Sequence, residues 1–180
     1  MIILGIDPGS ITTGYAFIEK TDKGNSVLEY GVLHAPASQA VEDRLLHIVT
    51  RLEALLDRYR PDALAMEGVF FAKNAKSALV LGHVRGAVLV ACRKRGMTFS
   101  EYPPKAVKQA VTGDGSASKE QVANLVFARL GIEPSELPLD ASDALAIAWT
   151  HANPSPLASA LKGRPVRRRK KPGEIGRAHV

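Results

Sequence analysis

The chain has one cysteine, Cys92, among 180 residues. An internal disulfide is therefore excluded, and so is a zinc site built on cysteine pairs. No uninterrupted apolar run is long enough to span a bilayer. The Met1 segment turns at Pro8 without a basic leader or a long apolar core, so it does not read as a signal peptide. Cytoplasmic residence without a membrane is the expectation. The histidines form no cluster, and no Ser/His/Asp arrangement is evident. Acids are nearly missing from residues 70–119, which hold 2 Asp/Glu against 9 Lys/Arg. The tail, 162–180, holds 1 against 8. The remaining blocks, 1–69 and 120–161, are each net −4 within an overall +6. Basic blocks bind polyanions by releasing counterions, so nucleic acid is the expected partner.

What is present reads as one domain. A hydrophobic content of 46% over 180 residues supports a single core. The domain is expected over 1–153. The tail, 154–180, has few apolar residues and is expected to be disordered, adding nonspecific DNA affinity.

The opening stretch, Ile2 to Ile6, is a short apolar run that delivers Asp7 into a Pro8-Gly9 turn. A strand ending there would place Asp7 at its carboxyl end, where α/β sheets build sites. The plain alternative is a turn-capping aspartate. Tyr15–Ile18 and Ser26–His34 read as two further strands around the Asp22–Asn25 turn, pairing antiparallel. Val41, Leu45, Ile48, Leu52, Leu55 and Tyr59 form one apolar stripe on a long helix, with Ser38 placed to cap it and Arg60-Pro61 to end it.

The opening pattern then repeats. Asp62–Met66 is a short strand ending at Glu67-Gly68, and a preceding helix makes parallel pairing with the first strand plausible. Asp7 and Glu67 would then stand side by side. Their repulsion calls for a divalent cation. Phe70 and Phe71, beside Lys73 and Lys76, are candidates for stacking on bases. The helix at 75–95 carries Gly82 and Gly86, each costing roughly 1 kcal/mol relative to alanine. Close approach of the sheet, or of the same helix in a second subunit, would offset that.

Met97–Tyr102 reads as another strand, and Lys105–Val111 as a short helix bearing Lys108. Gly113–Ser116 is a flexible loop before a helix capped by Ser118, with Lys119 near its start. Such a loop and helix start suit a phosphate. Asp140 and Asp143 share one face at the start of the last helix. An ordinary capping arrangement would also account for them. His151 lies eight residues past Asp143, roughly 12 Å along the helix, too far to share their ligand.

Taken together, Asp7, Glu67, Asp140 and Asp143 are an oxygen-only set suited to Mg²⁺ or Mn²⁺. Two such ions can orient a water and stabilise the leaving oxygen of a phosphodiester. Metal-dependent phosphodiester hydrolysis is the leading chemistry.

Gly5–Gly9, Thr13-Gly14, Met66-Glu67, Val69-Phe70, Ala72–Asn74, Val84–Gly86, Lys108-Gln109, Gly113–Ala117 with Lys119, and Asp140–Ala146 occur in an order that resembles the RuvC family of bacterial Holliday-junction resolvases. The resemblance runs from Met1 to about Ala152. It implies a ribonuclease-H-like α/β fold, a five-stranded mixed sheet flanked by helices. It implies a homodimer acting on a four-way junction with the RuvA–RuvB machinery. It also implies that Asp7, Glu67, Asp140 and Asp143 are the catalytic metal ligands, for Mg²⁺ with Mn²⁺ as substitute, two ions per site. Phe70 becomes a base-stacking residue, and Lys108 and Lys119 lie near the cleaved strand, Lys119 stabilising transition-state charge. Phe71, Lys73, Lys76 and Arg85 complete the expected DNA contacts. Two alternatives remain. One is a DNA-binding protein without catalysis. The other is an actin-like ATPase or sugar kinase, suggested by Asp7–Gly9 with Ser10, Thr12 and Thr13, for which 180 residues are too few.

Overall fold

The computed structural model describes residues 1–68, 75–133 and 138–154. Three strands open the chain: β1 (Ile2–Asp7), β2 (Thr12–Thr21) and β3 (Gly24–His34). They form an antiparallel meander. Helix α1 (Val41–Tyr59) then crosses back, so β4 (Ala63–Glu67) pairs parallel to β1. After α2 (Ala75–Lys94), β5 (Thr98–Tyr102) adds a parallel edge. The sheet order is β3-β2-β1-β4-β5. Three helices complete the fold: α3 (Pro104–Thr112), α4 (Lys119–Leu130) and α5 (Leu139–Ala152).

Strand alternation divides the core. Leu4, Ile6, Phe17, Leu64 and Met66 face α1 and α2. Ile3, Ala16, Ile18, Ala63 and Ala65 face α5, with α3 and α4 beyond it. Where α5 crosses, the sheet presents the small residues Gly5, Gly14, Ala16 and Ala65, and α5 answers with Ala141, Ala144 and Ala148, all fully buried. Helix and sheet therefore approach closely. A Cβ on Gly5 would lie 2.2 Å from the Ala144 carbonyl oxygen. A Cβ on Gly14 would lie 1.9 Å from that of Asp140. No side chain larger than hydrogen fits at either position without moving α5.

Several expectations need correcting. Ser38 does not cap α1, whose N-cap is Ala40 without a side-chain hydrogen bond. The α1 seam is centred on Ile48, Leu52 and Leu56, with Leu45, Leu55 and Tyr59 only partly buried. Arg60 does end the helix, in the left-handed region at φ 46°, with its N–H on Leu56 O. Gly82 and Gly86 do not allow the sheet to approach, since an added Cβ at either meets nothing within 4 Å. By length and composition α2 could cross a membrane. Arg85 and His83 interrupt its apolar run, while Val84, Val88, Ala91 and Cys92 bury one side against the sheet.

Helix α5 runs back along β1. Its end is held by Lys20 Nζ on Ala152 O at 2.6 Å, and the Met1 ammonium bonds Lys20 O. Pro154 thus lies near the start of β1, about 20 Å of strand away from Asp7. The described chain ends at Pro154, at the end of the sheet opposite the carboxylates; the expected basic, disordered tail lies outside the described residues.

Candidate active site

Three elements converge on the carboxyl end of β1. The alternation that puts Ile3 and Gly5 toward α5 also puts Asp7 there, and Ala63 and Ala65 do the same for Glu67. The parallel register pairs Ile6 with Met66, so Asp7 and Glu67 are neighbours at the sheet end. Gly14 is paired with Asp7 on the other side. Its missing side chain lets the Asp140 backbone settle directly over β2. Asp140 stands in the first turn of α5, whose N-cap is Pro138 with no side-chain cap bond, so the capping alternative fails. Ser142 bonds Leu139 O at 2.7 Å and steadies that turn.

The electrostatics follow from burial of like charges. Asp7 is raised from 3.8 to about 7, chiefly by burial, then by Asp143, Glu67 and Asp140. Glu67 is raised as well, by burial and then Asp143. Lys119 opposes both shifts. Its Nζ donates to Asp143 Oδ2 at 2.6 Å, a bond that raises the lysine in turn. The capping box of Ser118 with Gln121 fixes the start of α4 and so aims Lys119 at the cluster. A cavity of about 270 Å³ opens beside it, lined among others by Glu67, Lys108, Lys119 and Asp143. Larger cavities lie elsewhere, but neither includes these carboxylates.

The carboxylate set fits a hard divalent cation: it offers only oxygen donors, Asp7 and Glu67 are pushed up by burial and neighbouring negative charge, and a lysine serves as internal counter-ion. Among the described residues, no three His, Cys, Asp or Glu side chains already form a closed ligand group. Closing around an ion would require Asp143 to exchange Lys119 for the metal.

Other sequence expectations land as follows. Phe70, Phe71 and Lys73 lie outside the described residues. Arg85 is not presented for DNA contact. Its side chain is 13% exposed, bonded to the Glu67 carbonyl and ion-paired with Glu101. It braces β4 at Glu67 against β5. The sequence held a signal for this, because Glu101 is one of only two acids in the basic block. The other, Asp114, accepts from Ser116 N and Oγ at 2.8 Å and shapes the glycine loop. Lys108 lines the carboxylate cavity, while Lys76 belongs to a different one. His151 pairs with Tyr102 OH at 2.9 Å, away from the carboxylates. Thr13 is buried, donating to Gly9 O at 2.6 Å. The hydroxyl that a kinase loop would aim at phosphate instead locks the turn after Asp7.

Comparison with known proteins decides the family. The model of crossover junction endodeoxyribonuclease RuvC matches residues 3–151. The chain belongs to the RuvC family. The RuvC of Ruminiclostridium cellulolyticum is 44% identical over 153 residues, covering 85% of this chain and 92% of that protein. The Geobacter sulfurreducens RuvC is 46% identical over 162 residues, covering 90% and 98%. Among solved structures, T. thermophilus RuvC in complex with a Holliday junction substrate superposes with a TM-score of 0.79 at 37% identity, covering 85% of this chain and 93% of that one. The fold is accordingly that of RuvC, ribonuclease-H-like with a five-stranded mixed sheet.

Proposed function

We propose that this protein is a metal-dependent endonuclease that resolves four-way DNA junctions in recombination and repair. The observation that carries this is the meeting of four carboxylates from two strand ends and one helix start, in a chain of the RuvC family. Asp7, Glu67, Asp140 and Asp143 would hold Mg²⁺, with Mn²⁺ as substitute and two ions per site. The ions would supply the Lewis acidity that activates water and stabilises the leaving oxygen. Lys119 keeps the cluster from unpairing electrostatically and, once Asp143 turns away, is free to face transition-state charge. Lys108 lowers the proton affinity of Glu67 and adds positive charge where a phosphate would lie. Phe70, Phe71 and Lys73 follow β4 directly and remain candidates for contact with junction bases and backbone.

Two symmetric nicks need two sites, so a homodimer is part of the proposal. The outward face of α2 supports it. Leu79 and Val90 are 62% and 55% exposed on this helix. Gly82 and Gly86 leave open space there for another backbone. Cytoplasmic action with RuvA–RuvB is inferred from the family resemblance. A synthetic four-way junction incubated with the protein and Mg²⁺ should yield paired symmetric nicks, and none in EDTA. Junction bound intact under every metal condition would favour binding without catalysis.

Lys119→Met provides a second test. With its counter-ion gone, the metal-free cluster is more repulsive, so thermal stability at pH 8 should fall. Cation affinity, read from the Mg²⁺ dependence of the melting temperature, should tighten about threefold or more by the Coulomb argument. Nicking should nevertheless drop, on the order of 10²-fold, because transition-state stabilisation is lost. Unchanged Mg²⁺ affinity would show that Lys119 does not act as the counter-ion.

A further inference from the structure

A second cavity, about 360 Å³, lies between the β1–β2 turn, α1 and α2, lined by Ser10, Arg44, Lys76, Ser77, Val80 and Leu81. Among the described residues the lining has two cations, two hydroxyls and no acid. Arg44 stands in the second turn of α1, and its Nε is buried with no hydrogen-bond partner, alone in this among the described residues. An unpaired buried guanidinium N–H is costly, and phosphate answers it with paired acceptors in the fork geometry of arginine. The volume admits a phosphate together with several waters, each filling about 30 Å³. Among the described residues no aromatic side chain lines the cavity, and its cations and hydroxyls suit a backbone phosphate. Ser10 is three residues past Asp7, so the two are at most roughly 11 Å apart along the chain. Val80 and Leu81 place the cavity among the helices on the α1/α2 side, whereas the carboxylates face α5 on the other.

Resting on the junction-nuclease reading above, we infer that Ser10, Arg44, Lys76 and Ser77 form a seat for a second DNA backbone phosphate, distinct from the one cleaved. It would hold the junction at a neighbouring phosphate and fix how the strand enters the carboxylate site. The seat reads charge and position, not base sequence.

The test measures junction binding in EDTA for the wild type and Arg44→Met, which keeps the aliphatic stem. Affinity should fall roughly tenfold, the scale of one charge-assisted hydrogen bond. The slope of log affinity against log salt should decrease by about 0.9. Junctions with single methylphosphonate substitutions localise the effect. One neutralised phosphate, not the scissile one, should weaken the wild type and cost Arg44→Met clearly less, Lys76 accounting for the remainder. The variant should melt no lower than the wild type, because a buried unpaired N–H is removed. Unchanged affinity and salt slope would overturn the seat, and so would coupling confined to the scissile phosphate. Wild-type nicking with Mg²⁺, scored separately, tests the nuclease reading itself.

Discussion

Asp7→Asn should lose nicking by ~10³-fold or more, the consequence of removing several kcal/mol of cation-derived stabilisation. Junction binding in EDTA should be retained or slightly tighter, because one negative charge leaves a surface that meets DNA. The same substitution should stabilise the metal-free protein. Asp7 is raised from 3.8 to about 7 in the fold, so the folded state holds its proton more tightly than the unfolded chain. Its contribution is fully present below pH 4 and is lost as pH rises through about 7. At pH 8 the wild type therefore carries the whole penalty, on the order of 4 kcal/mol at most. Asn carries none of it. Melting curves without metal should show the variant about 5 °C or more above the wild type at pH 8, converging near pH 4. Added Mg²⁺ should raise the wild type and leave the variant nearly unmoved. A variant that cuts at the wild-type rate would show that Asp7 is not a ligand. A wild type that melts identically at pH 5 and pH 8 would show that its burial carries no such penalty.

Gly14→Ala should be nearly as damaging, though Gly14 has no side chain to offer chemistry. Its added methyl would stand 1.9 Å from the Asp140 carbonyl oxygen and 2.5 Å from its carbon, both backbone atoms. The start of α5 would have to retreat by an ångström or more. Asp140 would retreat with it, and Asp143 would lose its alignment with Asp7. A misplacement on that scale costs about 10²-fold in rate. The strain also destabilises, by roughly 1–3 kcal/mol, the usual range for overpacking. The two losses can be separated. The variant should remain folded by circular dichroism at low temperature, and its Mg²⁺-induced rise in melting temperature should shrink sharply. Normal Mg²⁺ response and normal nicking would mean that α5 yields elsewhere and that Gly14 does not set the depth of Asp140.

These two residues separate what was legible in the chain from what was not. Asp7 and Glu67 were readable because an apolar run of strand length ending in an acid and a glycine is a local pattern, and it occurs twice. Helical spacing alone put Asp140 and Asp143 on one face but left capping open, and Ser118 was readable as a helix cap, though not its reciprocal bond with Gln121. The order of these motifs also carried the family, and with it the sheet that the structure displays. Gly14 belonged to a quoted motif, but its purpose was invisible. The helix it admits lies more than 120 residues further along the chain.

Local pattern likewise misjudged the cations and the glycines. Arg85 sits in a basic block and reads as a DNA contact. Its partner Glu101 arrives only when β5 pairs beside β4. Gly82 and Gly86 look like a place where the sheet comes close, yet they face outward. Lys119 and Asp143 were each identified, but not their 2.6 Å bond, which sets the charge of the metal-free site.

The physical reason is common to all of these. Periodicity and turn chemistry are determined within a few residues, so the sequence by itself determined the elements, the carboxylates at their ends and the basic blocks. Period-two alternation states which residues share a face, but not which face receives α5. That choice, and every contact that depends on it, came from packing between segments distant in the chain. Only the tertiary structure decided that Asp7 and Glu67 face the helix start that brings Asp140, Asp143 and, through α4, Lys119.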